Sequence, residues 1–207
     1  MRNTPHAPFA SSLRPALFSL LILALTPCFS KLAEAQYKVG ETLQSAPAAS
    51  AKPGGFREIN FDALMPADWD PMAVFKGIDL GKLQDGDPRA NQLMDKVRAA
   101  WDSAPVEPKL NGQSVRIAGF VVPLDSGKDG LKEFLLVPYF GACIHTPPPP
   151  SNQIIHVVFD KPLKNVQMMA TLWVSGRMET VSTDSPFGKA GYRLTAQQTA
   201  PYVRAGK

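Results

Sequence analysis

The hydrophobic rhythm of the chain changes close to residue 110. Before that point, Leu93, Val97, Ala100 and Trp101 recur at helical spacing, which predicts an amphipathic helix with that face buried. Asp87-Pro88 opens it, the carboxylate as a cap and the proline as a first-turn residue. Further upstream, residues 58–80 carry the apolar anchors Ile59, Phe61, Leu64, Met65, Trp69 and Phe75, broken by Pro66 and Pro71. They predict an irregular or short-helical arm laid on the domain.

From residue 110 onward the period is two. Residues 114–118 alternate, meet Gly119 and run on into the apolar stretch 120–124, so Gly119 is expected at a bulge or bend. Residues 125–130 read as a turn, 133–139 and 154–159 as buried strands, 170–174 and 177–182 as two more around Gly176, and 192–194 as a short last strand. Residues 195–204 are expected to close the chain as a helix. Five or more short strands with glycine-marked bends predict a mainly β fold with added helices (α+β), built on a small coiled antiparallel barrel.

The first 35 residues have a different character. A basic front end (Arg2, His6, Arg14) leads into a short apolar run, and Ala33-Glu34-Ala35 has the small-x-small pattern of a signal-peptidase site. The reading is a signal peptide over 1–35, cleaved before Gln36, with a periplasmic product that keeps no stable membrane anchor. A proline just before Cys28 makes a poor lipobox. Residues 36–57, rich in Ala, Ser, Gly and Pro, read as a flexible linker. A single domain follows over 58–207, with the arm and helix in 58–105 and the β-rich core in 106–207.

Charge adds an exclusion. The signal removes Arg2, Arg14, Lys31 and Glu34, leaving 19 basic and 17 acidic residues. A nearly neutral domain without a basic cluster gives no electrostatic footprint for nucleic acid. Cysteine usage is sharper: Cys28 leaves with the signal, so Cys143 stands alone in an oxidising compartment, as core, metal ligand or reactive thiol.

Cys143 sits in the most unusual segment, residues 141–150, which ends in Pro147, Pro148, Pro149 and Pro150. Four prolines form a stiff polyproline rod and disfavour helix at Thr146. Extended backbone would then point Cys143 and His145 to one side, a half-site for zinc or copper. His156 is a candidate third ligand or a solvent-facing strand residue. Met168, Met169 and Met178 are candidate thioether donors, more commonly core. Equally, Cys143 beside His145 could form a thiolate–imidazolium pair, the basis of a thiol enzyme. Glu133, Asp160 and Glu179 read as scattered and solvated, and Trp69, Trp101 and Trp173 as core or groove lining. No hydrolase elbow, phosphate loop or paired Cys-x-x-Cys is present.

Residues 110–124 (LNGQSVRIAGFVVPL) and 133–153 (EFLLVPYFGACIHTPPPPSNQ) closely resemble a bacterial exported family, domain of unknown function 3299. The resemblance runs from about Ile59 to Tyr202. It implies a cell-envelope protein with an accessory role beside ABC-type permeases, and it includes Cys143, His145, Asn152 and Gln153. The first block is also similar to the opening strands of an OB-type barrel. The functional expectation is a periplasmic accessory or binding protein of a transport system, which could hold a transition metal at Cys143 and His145. The proline rod with Asn152 and Gln153 would be its ligand or partner surface. The rival readings are the thiol enzyme and a purely structural adaptor.

Overall fold

The computed structural model describes residues 37–43, 55–79, 81, 87–125, 127–143 and 148–204, all within one compact unit spanning 35–207. The expected signal peptide, its cleavage site, Cys28, His145, Pro147 and the middle of the expected linker lie outside the described residues.

Among the described residues, eight strands and one α-helix follow in chain order. They are β1 (Arg57–Glu58), α1 (Pro88–Asp102), β2 (Ser114–Pro123), β3 (Leu131–Val137), β4 (Ile155–Leu163), β5 (Thr171–Glu179), β6 (Thr183–Ser185), β7 (Gly188–Ala190) and β8 (Tyr192–Pro201). Five of them close a barrel in the order β2-β3-β4-β8-β5, with β5 returning to β2. This is the strand order of an OB-type barrel. It departs from the expected antiparallel barrel at one pair, and a second parallel pair lies outside the barrel. The β4–β8 pair is parallel, from Ile155↔Tyr192 to Phe159↔Ala196, and so is the short β1–β2 pair.

Alternation explains the two apolar layers. Val115, Ile117 and Val121 of β2, Phe134 and Leu136 of β3, and Ile155 and Val157 of β4 fill the barrel with Val174, Met178, Tyr192 and Leu194. The intervening Phe120, Val122, Leu135, Val137 and Ile154 face outward into a second cluster. These strands are buried on both faces, so their sequences read as continuous apolar runs. Tyr37 covers the outer layer, its ring 5.0 Å from that of Phe120. Thr42 bridges Tyr139. Both ends of the expected linker are therefore packed onto the barrel.

Three expectations about elements are corrected. Gly119 marks no bulge: β2 runs through it in register with Leu172 of β5. It is instead the point where a Cβ, facing the barrel interior, would lie 2.5 Å from Leu136 Cγ. Gly119→Val should therefore lower stability by about 1–3 kcal/mol through overpacking, measured by urea denaturation; an unchanged midpoint would show that Leu136 can yield. Thr171–Glu179 form one strand where 170–174 and 177–182 were expected as two, with an irregularity at Ser175/Gly176 opposite β8. Residues 195–201 are not helical but complete β8: β5 pairs along them as far as Pro201, and β4 flanks Thr195 and Ala196 on the other side.

The arm and helix appear as expected. Phe61–Leu64 and Ala73–Phe75 are short 3-10 turns, and the Asp87 side chain accepts from the Arg89 N–H at the start of α1. Leu93 and Val97 are buried, but Ala100 is exposed and Trp101 half-buried. Trp101 Nε1–H donates to the Pro71 carbonyl at 3.2 Å. Tyr192 ties arm to barrel: its hydroxyl donates to the Leu64 carbonyl and accepts from the Glu107 N–H, each at 2.6 Å.

Candidate functional site

The Cys143 segment is not extended where it is described. Gly141 and Cys143 both have positive φ, 85° and 66°, and the Ala142 N–H donates to the Tyr139 carbonyl at 3.3 Å. Proline restricts only the residue before it, so its reach stops at Thr146 and leaves Cys143 free to turn. The thiol packs against the outer apolar cluster. Burial pushes it up to about 11, so it is protonated at neutral pH. Alkylation by iodoacetamide at pH 8 should be slower than for an ordinary cysteine by roughly two orders of magnitude, in proportion to the thiolate fraction. A fast rate that plateaus near pH 7 would restore the thiolate–imidazolium pair.

The other candidate ligands are dispersed. His156 lies on the outer side of β4 opposite Leu135, buried rather than solvent-facing. Its Nε2 is 3.3 Å from Glu133 Oε2, so Glu133 is engaged as well as exposed, while Nδ1 has no hydrogen-bond partner. Met169 Sδ accepts from the Gly141 N–H at 3.4 Å, Met178 is in the barrel core, and Met168 is exposed. Among the described residues, no group of three or more His, Cys, Asp or Glu side chains could hold a metal ion.

The residues expected as a partner surface after the rod turn inward. Pro149, Pro150, Asn152 and Gln153 are buried. Asn152 Nδ2–H donates to the Pro105 carbonyl at 2.8 Å, and Gln153 Nε2–H to the Phe61 carbonyl at 3.0 Å. Carbonyls of the arm and of the segment after α1 need donors once buried, and these two amides supply them. Asn152 and Gln153 are thus anchors. Pro148 borders a groove of about 270 Å³ with Trp101 and Gly188.

A separate cleft of about 300 Å³ opens where the arm meets the barrel, lined by Asn60, Asp62, Ala118, Tyr139, Gln153 and Trp173 among others. Its position follows from strand pairing. β2 pairs with β1 at Val115 and Arg116 and with β3 from Phe120 onward, so among the described residues Ile117–Gly119 have no strand on that edge. β3 ends at Val137, and Tyr139, the residue that would fall opposite Ala118, turns to bridge Thr42 instead. On the outer barrel face, the Arg116 guanidinium sits 4.1 Å from the Trp173 ring centroid and 3.3 Å from Glu58 Oε2. That pairing fixes the indole beside the opening. Trp173 was legible as core or groove lining, but Asn60, Ala118 and Arg116 carried no local signal, because the cleft arises from sheet register.

Barrel, arm and cleft together define a small OB-type domain with an accessory arm. The chain belongs to the family described as protein of unknown function (DUF3299), whose model matches residues 61–201. It is similar to the crystal structure of a DUF3299 family protein, PA4066 from Pseudomonas aeruginosa PAO1. Identity is 36%, the TM-score is 0.59, and the match covers 74% of this chain and all of that one. A comparison with curated proteins gives no match.

Proposed function

We propose that this chain is a binding domain of the cell envelope, an accessory to a membrane transport system, and that it engages its ligand in the cleft between arm and barrel. The observation that carries the reading is the cleft itself: polar groups from Asn60, Asp62 and Gln153 converge beside the half-buried Trp173. Concave sites with apolar walls and a few convergent polar groups are the usual form of ligand sites. The protonated, partly buried Cys143 favours binding over thiol catalysis.

In-cell photocrosslinking tests the reading. Benzoylphenylalanine in place of Asp62, at the cleft, should trap an envelope protein or its ligand. The same group in place of Lys132, on the exposed side of β3, should not. Equal trapping at both positions, or none at Asp62, would remove the cleft as the binding site.

A further inference from the structure

The interrupted edge of β2 says more about what the cleft holds. In a strand, the N–H and C=O of successive residues point alternately to the two lateral edges. Three hydrogen bonds fix which way β2 is set. The Arg116 carbonyl accepts from Ile59 N–H on the β1 side at 2.9 Å, and Leu124 N–H donates to the Glu133 carbonyl on the β3 side at 3.1 Å. Val121 N–H points the other way, to the Ala170 carbonyl at 2.9 Å. Even-numbered residues of β2 therefore address the β1/β3 edge. Ala118 is the even-numbered residue between the two partners, and it lines the cleft. Its N–H and C=O therefore point into the cleft. A strand edge with an empty position is a template for another extended chain.

Resting on the binding reading above, we infer that the cleft takes an extended peptide segment of a partner protein. The segment would add to β2 at Ala118 through one main-chain N–H and C=O and place a basic side chain beside Asp62. The charges that line the opening are acidic, Glu58 and Asp62. Glu58 is engaged by Arg116. Among the described residues, the exposed Asp62 carboxylate receives only the Asn60 amide, from Nδ2–H at 3.1 Å. A lysine or arginine there would meet a carboxylate at the rim while its neighbours pack on Tyr139 and Trp173. The match of main-chain edge and negative rim is what favours a peptide over a glycan, which would need no paired N–H and C=O.

The test uses purified protein and pools of N-acetylated heptapeptide amides with the central residue fixed as Lys, Ala or Glu, followed by fluorescence polarisation. The Lys pool should bind best and the Glu pool about fivefold more weakly, an exposed-pair effect near the upper end of its range. Asp62→Asn should erase the preference for Lys over Ala and Glu. N-methylation of the peptide amide that meets Ala118 should abolish binding, which a scan of single N-methyl positions would show as one intolerant site. Binding indifferent to N-methylation at every position would overturn main-chain addition while leaving the cleft as a site for something else. Binding by chito-oligosaccharides but by no peptide pool would do the same. Failure of every pool to bind, with crosslinks still formed at Asp62, would overturn the peptide inference alone. If deleting residues 44–54 is needed before any pool binds, the chain's own segment is the occupant and the partner inference falls.

Discussion

Gly176→Val is expected to lower the thermal midpoint by about 10 °C, corresponding to about 3 kcal/mol or more. The residue lies in β5 at the register irregularity opposite β8. A Cβ there would overlap the Thr195 carbonyl oxygen and lie 2.8 Å from Ala196 Cα. Those atoms are backbone of a strand held on its other side by β4, so neither can move without disturbing two ladders. Gly119, whose added Cβ meets only a leucine side chain, is the milder case. Calorimetry on Gly176→Val, with the exposed Gln198→Ala as control, decides the matter. A midpoint within a degree or two of the parent would mean that the β5–β8 seam is far more compliant than its packing implies.

Tyr192→Phe should cost about 2–3 kcal/mol, although it removes a single oxygen. The hydroxyl is fully buried and serves the Leu64 carbonyl and the Glu107 N–H at once, and each partner left unsatisfied costs about 1–3 kcal/mol when water cannot replace it. The substitution also has a pH signature. Burial, the larger cause, pushes the phenol up to about 12 from an ordinary value of 10. The unfolded chain thus releases this proton first, and the native state loses stability as pH climbs from about 10 towards 12. Urea titrations across that window should show a falling limb in the parent that is shallower in Tyr192→Phe. Parallel limbs would remove Tyr192 as its source.

What could be read from sequence divides along local and non-local lines. Asp87-Pro88 opened α1 as expected because a cap needs only its neighbours. The alternation at 114–118 and the double-sided apolar runs at 120–122 and 134–137 located β2 and β3 for similar reasons. Residues 195–204 misled because Ala196, Gln197, Gln198 and Ala200 suit a helix, whereas their fate is set by β4 and β5, about 40 and 20 residues away in sequence. Gly119 was recognised as special, but the cause lay across the barrel in Leu136. Cys143 misled because the proline argument was carried three residues past its reach. The cleft was legible only in part: Trp173, Pro149, Pro150 and Gln153 read as groove lining or ligand surface and do line it, whereas Ala118 becomes significant only once β1 and β3 have taken their places beside it.

The parallel β4–β8 pair has a consequence for how the molecule comes into being. Of the five barrel strands β8 is the last to leave the ribosome, yet it sits between β4 and β5 and seals the barrel wall. Until residues 192–201 have emerged, β2 to β5 form an open sheet whose two free borders expose apolar residues meant for the interior. The protein must therefore mature in one late act rather than by stepwise addition. Such closure over long sequence separations is slow by nature, and its open precursor is the form most prone to associate with copies of itself.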